Sequence, residues 1–147
     1  MKLPERVREQ FRAHGRIGGR ARAAGMTPEA RSRVARLGAI RRWTRVRFGS
    51  TSFEARGLPG GELVDAGLAA LAAGEESVES LLVSLAAPRL KREGVPIPRD
   101  VLEGAEDRLY RLLERADADL AHAHYLAYLR QIVSFADACA SARVRQT

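Results

Sequence analysis

Between residues 63 and 139 the leucines, valines and alanines recur every three or four positions in four successive runs. No other feature constrains the fold as strongly, because that period places them along one side of an α-helix. No region alternates apolar and polar residues as a half-buried strand would, and there is no internal repeat. Leu63, Val64, Leu68 and Leu71 mark one helix, closed by Gly74. Ser77 caps the next, with Val78, Leu81, Leu82 and Leu85 inward; Pro88 is expected to kink or end it before a stop at Gly94. Val95-Pro96-Ile97-Pro98 reads as an extended connector. Asp100 with Glu103 reads as a capping box that opens a third helix carrying Leu102, Ala105, Leu109, Leu112, Leu113 and Ala116 on one face. The last helix is expected from about Ala118 to Ala142, with His122, Tyr125, Leu129, Ile132, Ala136 and Cys139 inward. Aromatics make up only 5% of the chain, so the core must be aliphatic. The expected fold class is all-α: a four-helix-type bundle body over residues 57–147, preceded by a basic helical N-terminal arm with linker over residues 1–56.

The arm is less regular. Residues 5–13 carry a thin apolar stripe of Val7 and Phe11, which His14-Gly15 and Gly18-Gly19 are expected to interrupt. Thr27-Pro28-Glu29 then gives a clear start: a hydroxyl N-cap, proline at the first helical position and an acid in the first turn. From there to about Phe48 the residues Val34, Leu37, Ile40, Trp43 and Val46 are spaced strictly by three, so the stripe drifts around the cylinder. A break near Gly38 is the expectation, the alternative being one long connector. Residues 49–61 are a linker by composition.

Charge divides the chain in the same place. Residues 1–56 hold fifteen Lys or Arg against Glu5, Glu9, Glu29 and Glu54, and the remainder carries a net negative charge, although the total is +7. A basic segment beside an acidic body is the pattern of a polyanion-binding arm. The plainer alternative is a solvated basic face that touches its own acidic half. Cys139 is the only cysteine, no apolar run resembles a secretory leader, and Leu81–Ala87 is too short to cross a bilayer. A cytoplasmic protein without membrane contact is expected.

Chemistry-bearing constellations are few. Gly15-Arg16-Ile17-Gly18-Gly19-Arg20 lacks the Gly-Lys-Ser/Thr of a nucleotide-binding loop and reads instead as a flexible arginine-bearing turn. Residues 17–36 fit a helix-turn-helix at Ala21, Gly25, Met26 and Val34, but Arg20 and Arg31 stand where core residues are wanted. His122 and His124, near Asp117 and Asp119, are two residues apart and point away from each other on a helix, so neither a metal nor another cofactor is expected. Arg115 and His122 match the loose Arg-x(4–6)-His spacing of HEPN ribonucleases, helical bundles that commonly act as toxins.

The run Gly18-Gly19-Arg20-Ala21-Arg22-Ala23-Ala24, Met26-Thr27-Pro28-Glu29-Ala30-Arg31-Ser32, Ala35-Arg36 and Arg42-Trp43 resembles a basic helical segment of small bacterial antitoxin-type and DNA-associated proteins. The body, with Leu58-Pro59-Gly60-Gly61, Leu81-Leu82-Val83, Ala87-Pro88-Arg89-Leu90 and Val133-Ser134-Phe135, is similar to partners of nucleotidyltransferase-like toxins. The first likeness spans about 30 residues and departs from its pattern at Gly38-Ala39-Ile40, where an alanine-rich basic run is usual. The resemblance implies a non-enzymatic regulator that binds DNA with its arm and a toxin-like protein with its body, homo-oligomerisation being left open. Arg16, Arg20, Arg22, Arg31, Arg33, Arg41, Arg42 and Arg45 are the expected contacts to the nucleic-acid backbone, acting through charge rather than base reading. The alternatives are an RNA-binding protein stacking bases on Trp43, Phe48 and Phe53, or the ribonuclease using Arg115 and His122.

Overall fold

A computed structural model describes residues 4–144. Six α-helices and no strand occur among them: α1 Glu5–Ala24, α2 Pro28–Phe48, α3 Gly61–Ala73, α4 Val78–Arg92, α5 Ala105–Ala116 and α6 Ala121–Ala142. The chain forms two compact units, Met1–Val34 and Ala35–Thr147.

In the first unit, α1 runs unbroken through Gly15, Gly18 and Gly19, which corrects the expected interruptions. Each glycine costs a helix about 1 kcal/mol relative to alanine. The helix persists on the strong propensities of its Arg, Ala, Glu and Gln residues. The expected arginine-bearing turn is therefore a helical surface. Gly25 closes α1, and Thr27 Oγ1 accepts a hydrogen bond from the Ala30 N–H to start α2 as expected. The helix-turn-helix alternative lacks its packed core: α1 has no buried residue, and Ala21, Gly25 and Val34 are exposed.

The second unit holds the end of α2 together with α3 to α6, and its packing runs α3 on α4, α4 on α5 and α6, and α5 on α6. α4 is the centre. Leu81, Leu82, Val83, Ala87 and Leu90 are buried on several of its sides, as a core helix requires. Gly67 lets α3 approach it closely, since a Cβ there would lie 2.5 Å from Val83 Cγ2 and 2.6 Å from the Glu79 carbonyl oxygen. Pro88 does not end α4, which continues to Arg92. Ser77 caps its start as expected, and the Ser80 hydroxyl completes a capping box there. Ser84 Oγ, buried on α4, donates to the Ser80 carbonyl and accepts from the Leu102 N–H, pinning the connector after Pro98 to the core. That connector reaches Gly104, which caps α5 in a left-handed conformation, so the helix starts later than the Asp100–Glu103 pair implied.

The boundary at residue 56 is also corrected. α2 passes Gly38 without a break, and Ile40, Thr44 and Phe48 are buried along it. Phe53, in the segment expected to be a linker, is fully buried with its ring 5.0 Å from those of Phe48 and Phe135. The Asp65 carboxylate of α3 accepts from the Phe53 and Glu54 N–H groups, and Arg56 Nε donates to the Phe48 carbonyl. A Gly- and Ser-rich composition here describes a turn folded onto the core, not a tether.

Candidate nucleic-acid interface

All eight arginines expected to meet nucleic acid are exposed. The structure distributes them over the two units: Arg16, Arg20, Arg22, Arg31 and Arg33 in the first, Arg41, Arg42 and Arg45 in the second. On α1, Arg8, Arg12, Arg16 and Arg20 follow one another at four-residue spacing and form a basic row, while Arg22 lies off it. Arg16 Nε bends back to the Arg12 carbonyl at 3.4 Å, and His14 Nδ1 lies 2.9 Å from the Gln10 carbonyl oxygen. Arg31 and Arg33, two residues apart on α2, diverge.

Arg41, Arg42 and Arg45 share a face of α2, because at about 100° per residue they fall within one third of the helix circumference. The buried stripe of Ile40, Thr44 and Phe48 occupies another side and fixes which way this face turns. Among the described residues no carboxylate lies within 4 Å of these three guanidinium groups. Elsewhere in the unit Arg89 is ion-paired with Asp137 and Arg108 with Glu76.

Further cations gather around the C-terminal end of α4. A depression there is lined by Arg47, Lys91, Arg92 and Arg143, with Gly94 and Ser141, and by no acidic side chain among the described residues. Arg47 is held by donating from Nη1 to the Gly94 carbonyl at 2.8 Å, and its own carbonyl accepts from the Val144 N–H. A neighbouring pocket of about 620 Å³ shares Arg47 and Lys91 and adds Arg36 and Arg99, with Asp100 its one acid among the described residues. The buried side chains Ile40, Leu71 and Val95 line its apolar part, beside Trp43, Pro96 and Pro98. The Arg47 guanidinium carbon stands 5.3 Å from the Trp43 ring centroid.

No protein-family model, curated protein or solved structure matches the chain.

Arg36, Arg47, Lys91, Arg92, Arg99 and Arg143 were not among the expected contacts. The basic run at residues 89–92 was visible, but a basic helix end also serves to complement the helix dipole, and the body's net negative charge hid a local positive patch. Two aromatic expectations are corrected. Phe48 and Phe53 have no exposure and are unavailable for stacking, whereas Trp43 is 47% exposed. His122 is not inward but exposed on α6, its ring 6.4 Å from that of Tyr110. Arg115, near the end of α5, is exposed as well.

Proposed function

We propose that this chain is a nucleic-acid-binding regulatory protein of the antitoxin type. Arginines of α1 and α2 hold the phosphate backbone, with DNA the expected polymer, and the helical body engages a protein partner in the cytoplasm. The observation that carries the nucleic-acid half is the uncompensated face of Arg41, Arg42 and Arg45, which stands exposed while Arg89 and Arg108 are ion-paired. Guanidinium groups without carboxylate partners form charge-assisted, often bidentate, hydrogen bonds to phosphate and release its condensed counterions. Such contacts position a protein on the backbone without reading sequence. The toxin-partner half rests on the sequence resemblance, and a toxin-like gene adjacent to this one would support it.

The test is fluorescence anisotropy on a labelled DNA duplex with the Arg41→Ser/Arg42→Ser/Arg45→Ser variant. All three sites are exposed, so the fold should survive. The expected result is an affinity about tenfold or more below wild type at low salt. Arg108→Ser, which removes an arginine already paired with Glu76, should leave affinity nearly unchanged. Equal affinity of the triple variant and the wild type would overturn the assignment of this face.

A further inference from the structure

We propose that the pocket beside Trp43 receives one unpaired nucleobase of a single-stranded nucleic acid, with Arg47 and Lys91 taking the adjoining phosphates. This inference rests on the nucleic-acid reading above and adds a base-accepting subsite to it. Charge alone accounts for the arginine faces, but it does not account for what lies in this pocket. A half-exposed indole stands next to buried Ile40, Leu71 and Val95, so a flat apolar surface is presented where anions are also attracted. At about 620 Å³ the pocket lies inside the roughly 300–1,000 Å³ range of small-molecule sites.

The ligand that satisfies both halves is a flat, weakly polar ring attached to phosphate. Every nucleobase has a π-face that stacks on an aromatic side chain. In a duplex those faces are already stacked on neighbouring pairs, so only an unpaired nucleotide can use the indole. A purely anionic polymer such as an acidic peptide would satisfy the cations and leave the apolar lining empty.

Two further details suit the role. The Arg47 guanidinium already lies near the Trp43 ring, and the pair is a preformed stacking element with its cation in place. Pro96 and Pro98, also in the lining, fix their own φ angles, and the Ile97 N–H bonds back to the Val95 carbonyl at 2.9 Å. A lining held this way loses little freedom when it is filled. Arg47 and Lys91 belong also to the purely basic depression, so the strand's phosphates have cations to meet on leaving the pocket.

Trp43 is the only tryptophan in the chain, so its emission reports this pocket alone. The experiment titrates the full-length protein at low salt with oligo-dT, oligo-U, a blunt-ended DNA duplex of equal phosphate number and poly-glutamate. Anisotropy of labelled oligonucleotides follows binding separately. Quenching of Trp43 by the DNA strand, the RNA strand or both, with little change from the duplex or poly-glutamate, is the expected result. Trp43→Ala should weaken single-strand binding about tenfold while duplex affinity stays within about twofold, and Trp43→Phe should recover part of the loss. Single strands that bind by anisotropy without altering Trp43 emission would overturn the subsite alone, as would equal quenching by the duplex or poly-glutamate. Absence of binding to every nucleic acid would instead overturn the reading on which it rests.

Discussion

The Phe53 ring meets Phe135 of α6 edge-on at 5.0 Å, so a residue from a Gly- and Ser-rich segment is anchored in the centre of the helical body. Phe48 closes the cluster from α2. Phe53→Ala removes a fully buried ring and should cost about 3–5 kcal/mol in urea or thermal unfolding. A variant as stable as wild type would return residues 49–61 to the status of a linker.

Glycine substitutions should act with opposite signs in two helices. Gly67→Ala drives a methyl group toward Val83 and the Glu79 carbonyl, and should destabilise by about 1–3 kcal/mol because the backbone of α4 must shift. Gly38→Ala, in α2, meets no described atom within 4 Å beyond the backbone of its own helix and should stabilise by about 0.5–1 kcal/mol. Paired denaturation curves check both, and equal shifts in one direction would contradict the close α3–α4 packing.

Burial pushes the Cys139 thiol up to about 12, with Glu93 acting in the same direction and Arg143 against it. Tyr125 is raised to about 12 chiefly because its O–H donates to the Glu106 carboxylate, with burial adding to it. Both groups hold their protons more tightly in the folded state, where the unfolded values are 9.0 and 10.0. Their contribution to stability is therefore complete below about pH 9 and is lost as pH rises toward 12. Urea midpoints measured at pH 8, 9.5 and 10.5 should fall monotonically, and Tyr125→Phe should flatten the upper part of that fall. Native Cys139 should also resist alkylation at pH 8 and react once the chain is unfolded.

Several local signals were legible, although the Asp100–Glu103 pair does not open α5. The cap at Thr27, the cap at Ser77 and the stops at Gly74 and Gly94 all stand where their residue types put them. The body's apolar stripes gave the right inward residues for α3 and α4, because burial and helical period agree there. Non-local contacts were not legible. Nothing in residues 49–57 announces that Phe53 will reach Phe135, and the Asp65 carboxylate that holds the turn is eleven and twelve residues away. The strict spacing by three in α2 argued for a break, yet only Ile40, Thr44 and Phe48 are buried there, a four-residue series that the drifting stripe masked. In the candidate site the individual arginines were legible as charges. Their division between two units was not, nor was the gathering of Arg47, Lys91, Arg92 and Arg143 around one helix end.

Backbone recognition through unpaired arginines is tested most directly by the salt dependence of binding. For the full-length protein and a labelled DNA duplex, the logarithm of the observed association constant should fall linearly with the logarithm of salt concentration. Its slope should be about −0.9 for each phosphate neutralised. Replacing Arg41, Arg42 and Arg45 together should make that slope shallower by about 2–3. A salt-independent affinity, or a slope that the triple variant leaves unchanged, would contradict the account.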